Sequence, residues 1–149
     1  MAAPATAAFL LLAGTLAATA GGEALYLDRC AACHQPGGIG TPGLAPPIAS
    51  DELARMEADV EGRAYLPLVV LNGLSGPIKV AGQTYVSAMP AQPDLGDADI
   101  AAIATYVLAT LNGGRIPDAD AYAPAEVAAL RSRPVTHRDL LSLRRRLEP

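Results

Sequence analysis

Five consecutive residues, Cys30-Ala-Ala-Cys33-His34, restrict this chain more than any other feature. On a helix, positions i, i+3 and i+4 share one face, so two thiols and an imidazole point the same way. Two thioether bonds to a porphyrin edge and one axial nitrogen to its iron need that arrangement, and this spacing is a haem-attachment pattern. Other uses of the pentapeptide fit less well. A redox-active C-x-x-C pair normally sits beside a strand in a βαβ unit, and the sequence shows no such unit. A zinc site needs four ligands, and His137 is the only other His. One haem c held through Cys30 and Cys33, with His34 on the iron, uses all three side chains.

The rest of the chain bears on this reading. Its 149 residues suit one small domain with appendages. Residues Met1 to Gly22 carry no charged side chain, Ala7 to Leu16 is apolar, and Ala18-Thr19-Ala20 has the small-x-small pattern of a cleavage site. No Lys or Arg follows Met1, yet a cleavable export signal over residues 1–20 is the expectation, with an uncleaved anchor as the rival. Cleavage removes Phe9, the only Phe, from a chain that has no Trp. A core built from Ala, Leu, Val, Ile and five Tyr is short of volume, which a large buried cofactor would supply. The net charge of −4 argues against a nucleic-acid binder. Residues 21–112 hold ten acids against four bases, whereas residues 113–149 hold five acids against seven bases.

The elements read as helical. Gly22 to His34 is the first predicted helix, and Gln35 to Ser50 is a loop rich in Pro and Gly. Ser50 caps a short helix from Asp51. Arg63 to Asn72 is a third helix, ended by Gly73, with Pro67 early enough to be tolerated. Ile78 to Tyr85 alternates about Ala81-Gly82 and predicts a small hairpin. Asp97 is the expected cap of a strong helix to about Leu111, ended by Asn112-Gly113-Gly114. A low-spin haem needs a sixth ligand, and the residues offer Met56, Met89 and His137. Met56 lies in a helical stretch, where Met usually packs. Met89 lies in a loop stiffened by Pro90 and Pro93, and serves equally well as ligand or as loop anchor.

Over residues 21–112 the chain resembles the class I, mono-haem cytochromes c of the bacterial exported type. Members of that family have a Gly eight residues and an aromatic four residues before the first Cys, here Gly22 and Tyr26. They have a Pro twelve residues after the ligand His, here Pro46, whose carbonyl orients the imidazole. They have an aliphatic and an aromatic residue fourteen and seventeen positions past the ligand Met. Counted from Met89, these are Ile103 and Tyr106. The resemblance implies an all-α fold around one haem, with the first and last helices crossing at the small Gly. It also implies Met89 as the sixth ligand opposite His34 and an electron carrier rather than an enzyme. It implies redox partners of the exported dehydrogenase, reductase or oxidase kind, met in the periplasm or at the periplasmic face of the inner membrane. Two alternatives are a subunit of such a dehydrogenase or reductase and, with a labile sixth ligand, a gas sensor. Many family members ring the haem edge with Lys, but this chain has only Lys79, so docking by a Lys ring is not expected.

Residues 113–149 form an extension beyond the family pattern, with one or two short helices expected. Pro124 starts a helix with Val127 and Leu130 on one face, and Pro134 stops it. Thr136 and Asp139 make a capping pair before Leu140, Leu141, Leu143 and Leu147. Arg144, Arg145 and Arg146 fall in the last turn and are expected to face water, the alternative being a docking arm. Arg63 and Lys79 are expected to be solvated rather than to neutralise haem propionates, and Tyr85 and Gln83 to pack rather than act.

Overall fold

The Cys-bearing helix forms in two pieces. The structure, a computed structural model, describes residues 21–116 and 120–147, so the expected export signal lies outside the described residues. Residues 21–29 are helical (α1) and Ala31–His34 (α2) resumes after a turn at Cys30, where φ is −120° and ψ −35°. The predicted single helix is therefore bent at the first Cys. The amide of His34 still donates to the Cys30 carbonyl at 2.9 Å, so the relation between those two residues remains helical.

After the loop, Asp51–Glu57 (α3) begins as expected at Ser50, whose hydroxyl accepts the Leu53 amide at 3.1 Å. A 3₁₀ turn, Gly62–Ala64, leads into Tyr65–Asn72 (α4), so the third helix starts later than predicted. Pro67 is accommodated at its third position, where the missing amide has no helical partner to lose. Ile78–Val80 (β1) and Gln83–Tyr85 (β2) pair antiparallel, with Ile78 opposite Tyr85 and Val80 opposite Gln83. Ala81 and Gly82, both at positive φ, make the two-residue turn.

Asp97–Tyr106 (α5) is capped at Gly96 rather than by Asp97. The Gly96 amide donates to the Asp99 carboxylate at 3.2 Å, which leaves Asp97 to pair with Arg131 at 2.7 Å. The helix then widens into a π turn over Val107–Leu111. Fully buried Asn112 explains the widening. Its backbone amide and its side-chain amide both donate to the Val107 carbonyl, at 3.1 and 3.0 Å. The same side chain also accepts the Ser50 amide and donates to the Ile48 carbonyl.

The α1–α5 crossing organises the core. A Cβ on Gly22 would lie 2.1 Å from the Ala102 carbonyl oxygen, so only Gly permits this approach. Tyr26 and Tyr106 pack beside it with ring centroids 5.5 Å apart, and Ile103 is buried. Among the described residues the fold is thus helical with one small hairpin.

Both predicted helices of the extension form, as Pro124–Arg131 (α6) and His137–Leu147 (α7). Helix α6 packs on α5 and α4, and α7 packs on α4 and α3. Val127 and Leu140 are wholly buried. Thr136 and Asp139 cap α7 reciprocally, as expected. Arg63 anchors the extension. Its guanidinium donates to Glu126 and to the carbonyls of Asp120 and Ala121, and it lies 4.0 Å above the Tyr122 ring. Beneath it, the Tyr122 hydroxyl donates to the Arg63 carbonyl at 2.6 Å and meets the buried Glu57 carboxyl. A phenol has one proton, and a carbonyl can only accept. That single proton is shared between two acceptors, the Arg63 carbonyl and the Glu57 carboxyl. Burial is the main reason the Glu57 carboxyl is pushed up to about 8, against the lowering effects of Tyr122, the Leu66 amide and Arg63.

Candidate haem-binding site

Cys30, Cys33 and His34 open onto one cleft bounded by α1 to α5 and the hairpin. Leu53, Leu66, Val69, Val70, Ile78 and Ile103 give it apolar walls. Burial pushes the Cys30 thiol up to about 11, with Arg29 opposing it only in part. Redox-cycling C-x-x-C pairs have the reverse property, a lowered thiol pKa. Cys33, by contrast, is exposed at the rim.

His34 is buried, and its Nδ1 lies 2.9 Å from the Pro46 carbonyl. A carbonyl can only accept, so Nδ1 carries the proton and Nε2 keeps its lone pair. Burial holds the imidazole below its ordinary pKa, against the contrary pull of Pro46, and so keeps it neutral. The Pro46 position counted from the sequence is therefore the one that contacts His34. The loop behind the pair is held by hydrogen bonds from Tyr26 to the Gln35 carbonyl at 2.7 Å and from Thr41 to the Cys33 carbonyl at 2.8 Å.

Of the three side chains considered for the sixth position, Met89 alone lines the cleft. Met56 is buried in the core on α3. His137 is exposed on α7, with Nε2 3.1 Å from the Asn72 carbonyl. The Met89 backbone is pinned by a two-bond antiparallel bridge to Leu74, 2.8 Å in one direction and 3.0 Å in the other. Gly73 permits the approach, because a Cβ there would lie 2.6 Å from the Met89 carbonyl oxygen. Arg29 joins this loop to α1 through Gln92 and Asp94, at 2.9 and 2.6 Å. Tyr85 also lines the cleft, and its hydroxyl donates to Gln83 at 3.0 Å.

The residue that the sequence reading missed is Arg144. It is buried and lines the cleft, whereas the Arg run was expected to face water. A signal for it existed, because Leu140, Arg144 and Leu147 stand at i, i+4 and i+7 on one helical face. Arg145 and Arg146 do face water, as expected.

This donor set suits a haem c. It offers two thiols at one rim, a neutral imidazole with a fixed tautomer, a thioether on a pinned loop and apolar walls between. Among the described residues, no group of three or more His, Cys, Asp and Glu side chains could hold a bare metal ion. Comparison with known proteins agrees. Residues 19–111 match the family model "Cytochrome c". A cytochrome c-552 of Thermus thermophilus is 37% identical over 141 residues, covering 94% of each chain. A second cytochrome c-552 from Thermus thermophilus is 35% identical over 129 residues, covering 86% of this chain and 97% of its own length. With the C-A-A-C-H motif at the rim of the cleft and the Gly22–Tyr26–Tyr106 crossing behind it, the chain belongs to the cytochrome c family.

Proposed function

We propose that this protein is a one-electron carrier with a single haem c bound through Cys30 and Cys33 and ligated by His34 Nε2 and Met89 Sδ. The observation that carries the reading is that His34 and Met89 come from different segments, the one fixed at its ring and the other at its backbone, and border one apolar cleft. Haem c supplies an iron that accepts and releases one electron. The protein does the rest. Pro46 holds the His34 ring by its Nδ1 proton, so that Nε2 stays aimed and basic. The Leu74–Met89 bridge fixes the backbone that carries the thioether, which would limit its movement between oxidation states. A Met/His pair in an apolar cleft would favour the ferrous state and raise the potential. With His34 and Met89 both holding the iron, no position would remain on it for a substrate or a gas. Exposed Cys33 marks the rim at which electrons would enter and leave, through small transient contacts with redox proteins.

The working compartment in this reading is the periplasm. The uncharged segment before residue 23 and the covalent mode of attachment support it. No helix among the described residues is long and apolar enough to cross a membrane.

Replacing Met89 by Ala tests the ligand assignment. The variant is expected to keep its covalent haem, lose the methionine-to-iron charge-transfer band, bind carbon monoxide when reduced, and show a lower potential. Retention of that band would exclude Met89. Co-purification of the native protein from an exported fraction separates a free carrier, which comes alone, from a subunit, which brings a catalytic partner.

A further inference from the structure

Among the described residues Glu57 is the one buried acid, and the electron-transfer reading leaves it without a role. It is 7% exposed, and its Oε1 has no partner within hydrogen-bond geometry. Its Oε2 meets the Tyr122 hydroxyl, which the Arg63 carbonyl also holds. From α4 the Leu66 amide bears on it, next to buried Tyr65. The surrounding charges are matched elsewhere. Arg63 attracts Glu57 from the 3₁₀ turn, but its donors go to Glu126 and to the carbonyls of Asp120 and Ala121. In the turn after α3, Asp59 accepts the Glu61 and Gly62 amides, and Glu61 pairs with Arg146 of α7 at 3.6 Å. Arg144 of α7 touches the Met56 sulfur and acts on Glu52 at the start of α3. With no cation of its own, the Glu57 carboxyl is pushed up to about 8 by burial, so it titrates close to neutral pH.

The same carboxyl lies behind the wall of the cleft. Leu53 lines the cleft, and Glu57 follows it at i+4 on the same face of α3. Leu66 lines the cleft too, and its amide is the one that bears on Glu57. The haem reading above, on which this inference rests, puts into that cleft an iron whose charge changes by one. An apolar interior screens such a change poorly. Ferric iron favours the carboxylate, and ferrous iron favours the neutral acid. We propose that Glu57 is a redox-linked proton site, which binds a proton from water as an electron reaches the iron and returns it to water as the electron leaves. The balance is at most one proton for one electron, and the buried charge changes less than it would without the carboxyl. Tyr122 makes the extension part of this site, because its hydroxyl favours the carboxylate and so helps to set the pH at which the coupling operates.

The test is potentiometric titration of native holoprotein, Glu57→Gln and Tyr122→Phe between about pH 6 and about pH 10, a range that brackets the Glu57 carboxyl. The native potential is expected to fall with rising pH in a step near 8. The pKa values of the oxidised and reduced forms that bound this step should differ by roughly half to one unit, the size a unit charge gives across a small protein core. Glu57→Gln is expected to lack the step and to keep the native acid-side potential throughout. The α-amino group also titrates near this pH, but it remains in that variant and so cannot account for the difference. Tyr122→Phe loses a hydroxyl that favours the carboxylate, so its step is expected at higher pH. The methionine-to-iron band is followed in every sample, and loss of the band over the native step would assign the step to ligand exchange and overturn the proposal. Absence of the step in native protein, or the same step in Glu57→Gln, would overturn it too. Should Glu57→Gln not accumulate with haem, an unmoved step in Tyr122→Phe would do so equally. Failure of the haem reading would show separately, as native protein purified without covalent haem.

Discussion

Glu57 shows how a single buried group can set the pH response of this fold. Its carboxyl is raised from 4.5 to about 8, first by burial. The unfolded chain therefore releases that proton near 4.5 and the folded chain near 8. The stabilisation from holding the proton is complete below about pH 4.5, declines as pH rises, and is lost above about 8. Glu57→Gln keeps a neutral side chain of the same size next to Tyr122. The variant is expected to lose the decline between pH 5 and 8 and to be more stable than native protein at pH 8 by a few kcal/mol, a figure of about this size following from the shift. Thermal unfolding monitored across that range checks it. A parallel decline in native protein and variant would mean that another group titrates.

At the scale of elements, the fold depends on close approach of α1 and α5. The contact at Gly22 is with a backbone oxygen on Ala102, which cannot rotate aside. Gly22→Val is therefore expected to cost about 3 kcal/mol or more, at or beyond the upper end for an overpacked core, as read from denaturant unfolding. Because α1 leads directly into Cys30 and His34, the same variant should also recover less covalent haem. The extension is held by a second contact of this kind, in which Arg63, Tyr122, Glu57 and Glu126 join α6 to the haem domain. Arg63 was expected to be solvated, and its single charge gave no indication of this partner 63 positions away. Asn112 likewise reads as a helix terminator in the sequence and becomes, in the fold, a buried link between α5 and the loop before α3.

For the whole molecule, charge governs encounters. The net charge is −4, and the bases of the haem domain are outnumbered ten to four. Oxidised protein is expected to be reduced faster by a cationic reagent than by an anionic one of similar potential. The two rates should converge as salt shortens the range of the field. Stopped-flow measurements at two ionic strengths check this. Equal rates at low salt would mean that the bases of the extension dominate the field at the haem edge.

Much of the site was legible because its chemistry is written in local spacing. The Cys30–His34 pentapeptide is a geometric statement about one helical turn, whereas Pro46 and Met89 were picked out by the resemblance to the cytochrome c family. The helices of the haem domain were legible from apolar periodicity and turn residues, and their starts were missed by a few residues where a carboxylate at the third position or a 3₁₀ turn did the capping. The sequence by itself determined the attachment motif and the helical class, and it offered three side chains for the position opposite His34. Only the tertiary structure decided that Met89 rather than Met56 or His137 borders the cleft, that Glu57 keeps its proton, and that Arg144 turns inward from the middle of a basic run. The reason is physical. Spacing along one segment determines which side chains share a face, whereas burial and charge pairing depend on what distant segments bring against that face.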